Sequence, residues 1–238
     1  MKARTRFRTL QIISAVLVMS VTGAASALDV KLTETRDFVT VNHEGRSVRV
    51  ERIQDENNVL TGGFAKTSRK CPPFCIHPIR VDPAVETVGE VEIFDFMERQ
   101  LRNGSGVLVD ARTPAWHKRG TIPGSINLPF TVFSRDTSDP ELAAAMSKLG
   151  VSRKGPDSGL SMNSLLDMIG LGSGGSQVWD FSNAKEALFW CNGPWCDQSP
   201  RAINALLKQG YPPEKLFYYR GGMQLWQVLG LTTIVPED

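Results

Sequence analysis

FWCNGPWCDQSPRAINALL, residues 189–207, passes from an apolar run into a cysteine, through a Gly/Pro loop carrying a second cysteine, and directly into a helix. Its upstream part, KEALFWC (185–191), is a short continuous apolar run of the kind found in strands buried on both faces. Downstream, SPRAINALLKQGY (199–211) has helical periodicity, with Ser199 expected at the N-cap, Pro200 at the first helical position and Gly210 at the end. Cys191 therefore belongs at the carboxyl end of a strand, where sites form in parallel α/β sheets. The loop Asn192, Gly193, Pro194, Trp195, Cys196, Asp197, Gln198 and Ser199 leads into a helix start whose free N–H groups can face the sulfur. Such donors favour thiolate over thiol, which makes a nucleophile and a cradle for an anionic substrate. The competing reading of the same stretch is a plain Cys191–Cys196 disulfide.

Working outward, the flanking segments alternate between strands and helices. VEIFDFMERQLRNG (91–104) reads as an amphipathic helix stopped by Asn-Gly, and GVLVDAR (106–112) as a buried strand. Pro123-Gly124 carries turn chemistry. DPELAAAMSKL (139–149) is a helix with Asp139 as N-cap and Pro140 at its first position. KLFYY (215–219) is a third strand and RGGMQLWQVLGL (220–231) a last helix, with Trp226 as core and Gly221-Gly222 allowing backbone to pass close to the cysteine loop. The alternation predicts a parallel sheet flanked by helices. Residues 151–178 read as a loop-rich insertion, either a lid or a surface loop.

Before this domain, RDFVTVNHEGRSVRVERI (36–53) alternates apolar and polar residues on both sides of a turn, a hairpin signature. The Gly-, Pro- and Cys-rich segment that follows is expected to be irregular. A small β-rich unit is placed at 28–82, with the larger domain over 83–238. Residues 1–27 have the organisation of a secretory signal peptide: a basic start, an apolar run of 12 residues too short to span a bilayer, and Ala25-Ser26-Ala27 as a cleavage site. A mature chain beginning near Leu28, periplasmic or secreted and free of the membrane, is expected.

Cleavage would remove Lys2, Arg4, Arg6 and Arg8 but no acid, leaving 23 basic against 25 acidic residues. No basic stripe remains, which argues against a nucleic-acid partner. The run KTSRK (66–70) reads as a solvated loop. Export implies an oxidising compartment, so local pairing of the close cysteines is favoured. Pro72-Pro73 stiffens CPPFC and no helix follows it, which favours a structural Cys71–Cys75 disulfide. The cysteine spacings do not match a zinc site, and His43, His77 and His117 read as surface or loop residues. No metal or cofactor is expected.

Three segments, in order, resemble the rhodanese family over residues 87–232. VLVDARTPAWHKRGTIPGSINLP (107–129) is similar to its Asp-x-Arg and Gly-x-Ile-Pro-Gly segment, LFWC followed by SPRAINALLKQGY to its active-site strand, loop and helix, and YYRGGMQLW (218–226) to its closing Gly-Gly-x-x-x-Trp. The resemblance implies a five-stranded parallel sheet and a catalytic Cys191 that carries sulfane sulfur as a persulfide. It places Asp110 and Arg112 at the rim or frame of the site, with Arg201 and Arg220 as further rim candidates. The donor implied is a small sulfur-containing anion or a protein persulfide. This loop is longer than is usual in the family and contains no base, one acid (Asp197) and a second cysteine. Arg201 would compensate for the acid if it folded back. Cys196 would then resolve the persulfide or cycle with Cys191 as a dithiol. The remaining readings are a thiol–disulfide oxidoreductase and a non-catalytic binding module that meets a protein partner through the N-terminal unit.

Overall fold

Period-2 alternation along the three central strands distributes their side chains between two cores. The computed structural model describes residues 28–154 and 178–237. The signal peptide assigned to 1–27 and most of the 151–178 insertion lie outside the described residues. β1 (Phe38–His43) and β2 (Arg46–Glu51) form an antiparallel hairpin, followed by β3 (Glu86–Val88), β4 (Gly106–Asp110), β5 (Ser125–Asn127), β6 (Ser152–Arg153), β7 (Trp179–Asp180), β8 (Glu186–Trp190) and β9 (Leu216–Tyr219). The helices are α1 (Glu90–Phe96), continued by a π-helical turn over Met97–Leu101, α2 (Pro114–His117), α3 (Pro140–Lys148), α4 (Gln198–Lys208) and α5 (Gly222–Val228). Five strands make one sheet in the order β3-β9-β8-β4-β5, with every neighbouring pair parallel. β6 and β7 pair antiparallel and bracket the insertion.

On one face of the sheet, Val107 and Val109 of β4, Ala187 and Phe189 of β8, and Leu216 and Tyr218 of β9 pack with Leu142 and Met146 of α3 and Ile203 and Leu206 of α4. On the other, Leu108, Leu188, Trp190 and Tyr219 pack with Ile93, Phe94 and Phe96 of α1 and with Trp226 of α5. Successive side chains of a strand point to opposite faces, so a strand that is apolar throughout must be covered on both.

The N-terminal hairpin belongs to the second core. Its Val39, Val41 and Val50 are buried in the same cluster as Ile93, Leu188 and Trp226. The turn residues Glu44 and Gly45 have φ of 51° and 80°, as a tight two-residue hairpin demands. The C-terminal tail ties the hairpin down: Thr232 N–H donates to Glu51 O at 3.0 Å and Ile53 N–H to Gly230 O at 2.7 Å. The change of character near residue 82 is thus one of secondary structure, while the hydrophobic core runs across it.

Candidate active site

Parallel register places the end of β8 beside the end of β4, with Asp110 opposite Trp190. Ala111 N–H then donates to Trp190 O at 3.0 Å, so Cys191 leaves the sheet directly above the Asp110–Arg112 segment. Two amides of α5 hold the emerging loop, Met223 N–H to Cys191 O at 2.9 Å and Gln224 N–H to Asn192 O at 3.0 Å. The approach is so close that only glycine fits at 222. Its φ is +55°, and a Cβ there would lie 2.3 Å from Cys191 O and 2.7 Å from Gly193 N. This is the close backbone passage expected from Gly221-Gly222.

Cys191 and Cys196 are both free and buried. Ser199 Oγ donates to Cys191 Sγ at 3.0 Å. Burial alone would push the Cys191 thiol up. It is outweighed by donors converging on the sulfur, namely the Cys196 thiol, the Ser199 hydroxyl and the amides of Ser199 and Gly193, and the result is a thiol below its ordinary range. Cys196 shows the opposite balance. Burial and the neighbouring Cys191 sulfur push its thiol far up, against the weaker opposing effect of the Asn192 and Gln198 amides, and its side-chain contacts to Asn192 Nδ2 and Gln198 Oε1 are long, both at 3.8 Å. Cys191 Sγ also lies 3.4 Å from Cys196 O, and the balance of donors against burial favours the thiolate at Cys191 over Cys196.

α4 begins two residues earlier than the sequence suggests, so Pro200 is its third residue and not its first. Asp197 occupies the N-cap position without a side-chain capping bond, and Ser199 lies inside the first turn. Its hydroxyl is directed to the sulfur rather than to the helix backbone, so the capping role expected of Ser199 is replaced by a role at the thiolate.

Asp110 and Arg112 are placed beneath the loop, not at its rim, and both are essentially inaccessible to solvent. Arg112 Nε donates to Asp110 Oδ1 at 2.8 Å and Nη2 to Asp110 Oδ2 at 2.7 Å. Its Nη2 also reaches Gly120 O at 2.6 Å, and Nη1 reaches Asn192 Oδ1 at 3.5 Å. The guanidinium lies 4.6 Å from the centre of the Trp190 ring. Burial works against ionisation of Asp110, but Arg112 and the His117 ring, with Nδ1 at 2.9 Å, hold its carboxyl below the usual range. A buried pair with its remaining valences filled is a rigid brace. It orients Asn192 and is fully occupied with protein partners. His117 thus belongs to the frame, and His43 is buried as well, its Nδ1 accepting from Gly124 N–H at 3.1 Å. The surface or loop reading of His43 is corrected: it ends β1 and is buried, because its ring meets an amide 81 residues away, a pairing that local sequence does not signal.

Arg201 does not fold back over the sulfur. Its guanidinium lies 4.4 Å from the centre of the Phe130 ring and 3.9 Å from Asp197 Oδ2, so it partly neutralises the loop's one acid. Arg220 also points away. Its Nη2 donates to His77 O at 2.7 Å and Nε to Pro78 O at 3.2 Å. His77 N–H in turn donates to Pro194 O at 2.9 Å, and the Phe74 and Trp195 rings are 5.0 Å apart. The segment following CPPFC is therefore strapped to the outside of the active loop, and Cys71 and Cys75 are joined by a disulfide. Among the residues that sequence reasoning overlooked is Arg69, whose guanidinium lies over both Phe74 and Trp195.

A five-stranded parallel sheet with a hydrogen-bonded thiol at the junction of its central strand and a helix N-terminus defines an α/β protein with a cysteine-loop site. The sequence profile of the rhodanese-like domain matches residues 95–229. The chain belongs to the rhodanese-like family. No curated protein matches it. Among solved structures, it is similar to a protein of unknown function and possible tyrosine phosphatase from Rhodopseudomonas palustris, with 19% identity, 66% of this chain and 88% of that chain covered, and a TM-score of 0.39. It is similar to a rhodanese-related protein from Thermoplasma volcanium, with 14% identity, coverage of 63% and 99%, and a TM-score of 0.36. It is also similar to a human single-domain sulfurtransferase, with 15% identity, coverage of 62% and 97%, and a TM-score of 0.33.

Proposed function

We propose that this protein moves sulfane sulfur through a persulfide on Cys191. The observation that carries this reading is the set of donors on one sulfur: the Ser199 hydroxyl at 3.0 Å, two backbone amides and the Cys196 thiol. The Cys191 thiolate attacks the sulfane sulfur of a donor, forming Cys191–S–S⁻ and releasing the donor's remaining fragment with the bonding electron pair, as sulfite when the donor is thiosulfate. An acceptor thiolate then takes the outer sulfur and the Cys191 thiolate is restored. The same donors that stabilise the thiolate stabilise the terminal charge of the persulfide. Asp197 is the one charged side chain between residues 192 and 199, so a monoanionic donor such as an organic or protein persulfide suits the loop better than a dianion such as thiosulfate. Cys191 is only 2% exposed, so the donor is small or the loop opens to admit it.

The export assignment rests on the sequence of residues 1–27, and the Cys71–Cys75 disulfide suits an oxidising compartment. N-terminal sequencing of the protein recovered from outside the cytoplasm should begin near Leu28.

The contact between the two thiols favours a second reading, in which Cys196 attacks the inner sulfur of the persulfide. Cys191 and Cys196 are oxidised to a disulfide, and the sulfane atom leaves reduced, as hydrosulfide. Mass spectrometry after incubation with polysulfide separates the two. A single added sulfur mapped to Cys191, absent in Cys191→Ser, supports transfer, while loss of two hydrogens (two protons and the two electrons carried off by the sulfane sulfur) with release of sulfide supports the dithiol cycle. No change at Cys191 with any donor overturns both.

A further inference from the structure

Outside the sulfur site, residues 66–76, the Pro194-Trp195 wall of the active loop and the outer side of α5 enclose a cleft of about 760 Å³. That volume is within the range of sites for small organic molecules. Its lining contains Lys66, Arg69 and Arg220 and no Asp or Glu. Arg220 is occupied with the carbonyls of His77 and Pro78. Lys66 and Arg69 have no carboxylate partner among the described residues, and Arg69 Nε is buried without a hydrogen-bond acceptor. The Arg69 guanidinium is held 4.7 Å from the Phe74 ring centre and 4.6 Å from that of Trp195. This fixes a positive charge beside two aromatic faces. Opposite these rings, Leu225, Val228 and Ile76 are 38%, 52% and 81% exposed. The cleft thus combines uncompensated cations, aromatic rings and an apolar rim left in water.

We infer that this cleft binds a small organic anion with a planar apolar body, an aromatic carboxylate or sulfonate, with the anionic group on Lys66 and Arg69 and the ring against Trp195, Leu225 and Val228. A neutral aromatic would leave the cations unpaired, and an inorganic anion would leave the apolar rim in water. Because Pro194 and Trp195 belong to the loop that carries Cys191, an occupant would sit against the outer side of the sulfur site. The inference does not depend on the chemistry of Cys191.

The test is calorimetric titration of the mature chain with naphthalene-2-sulfonate, with naphthalene-2-methanol and inorganic sulfate as the two half-ligands. Saturable binding at one site is expected for the sulfonate, with each half-ligand at least about tenfold weaker and affinity falling as NaCl is raised. Lys66→Gln/Arg69→Gln should weaken the sulfonate by about tenfold or more through loss of two charge-assisted contacts. Val228→Asp, at a position 52% exposed and outside the buried core, should weaken it similarly, so the test survives if the double variant misfolds. Absence of saturable binding, equal affinity for the neutral alcohol, or unchanged affinity in folded variants overturns the inference. Since binding rather than transfer is read, failure of sulfur loading on Cys191 would leave this result standing.

Discussion

Cys71 and Cys75 are disulfide-bonded in an irregular segment, whereas Cys191 and Cys196, of nearly the same spacing, are free thiols buried in a hydrogen-bonded loop. No helix directly follows the first pair, and Cys71 is exposed and Cys75 half-buried. The second is pinned by its backbone: Cys191 O and Asn192 O accept from the first amides of α5, and Cys196 N–H closes a turn onto Gly193 O at 2.9 Å. Spacing brings two sulfurs near each other, while the number of donors each sulfur receives decides whether it serves as a staple or a nucleophile. At residue 191 the end of β8, the start of α4 and the first turn of α5 converge, and the donors that meet there outweigh burial, as they do not at Cys196.

The most severe way to break this contrast is Cys191→Ser, which should abolish sulfur loading, while Cys196→Ser retains it; peptide mapping after polysulfide treatment reads both. Next is Gly222→Ala. A methyl group 2.3 Å from the Cys191 carbonyl, at a φ of +55°, must displace the loop or α5. It should cost about 1–3 kcal/mol of stability and raise the exposure of both thiols to iodoacetamide. Ser199→Ala sharpens the comparison by removing one donor and leaving the backbone in place. A hydrogen bond to a charged group is worth about 1.5–3 kcal/mol, so the pH midpoint of Cys191 alkylation should move up and the rate near neutrality should fall about tenfold or more. In the wild type that midpoint should lie below that of an ordinary thiol, because the donors overcome burial. The linked stability has a definite sign: it is present above the unfolded-state thiol pKa and is lost as pH falls through the depressed folded value. The smallest effect on the site is expected from Cys71→Ser/Cys75→Ser. Opening so short a loop should lower stability by about 2 kcal/mol on the chain-entropy account, with Cys191 alkylation changed less than about twofold. A large loss of Cys191 reactivity would show that the strap of Phe74 and His77 controls the loop and would dissolve the distinction between the two pairs.

Much of the architecture was legible because it depends on near neighbours in the chain. Residues 106–109 and 187–190 are apolar throughout within runs of strand length, the Asp139-Pro140 start caps α3 through Asp139 Oδ1 accepting from Glu141 N–H at 2.7 Å, and Gly210 ends α4 with φ of +89°. The Phe38–Glu51 hairpin could likewise be read from alternation around one turn. Its docking could not. Val41 reaches the turn at Gly124, and that contact is invisible to any local window. The roles assigned to charged residues moved most. Arg112 went beneath the site, Arg201 onto Phe130, and Arg69 from a solvated run to a place over two adjoining rings.

By itself, then, the chain's sequence determined the elements, their alternation and the position of one cysteine where a strand gives way to a helix, because periodicity, turn residues and helix signals act over a few residues. Only the tertiary structure decided which sulfur is the acceptor of hydrogen bonds, that Ser199 serves it, and that a cationic aromatic cleft lies beside it. Those outcomes depend on side chains that meet from distant parts of the chain, and their ionisation follows from burial and donors that exist only once the sheet, the hairpin and α5 have closed around them.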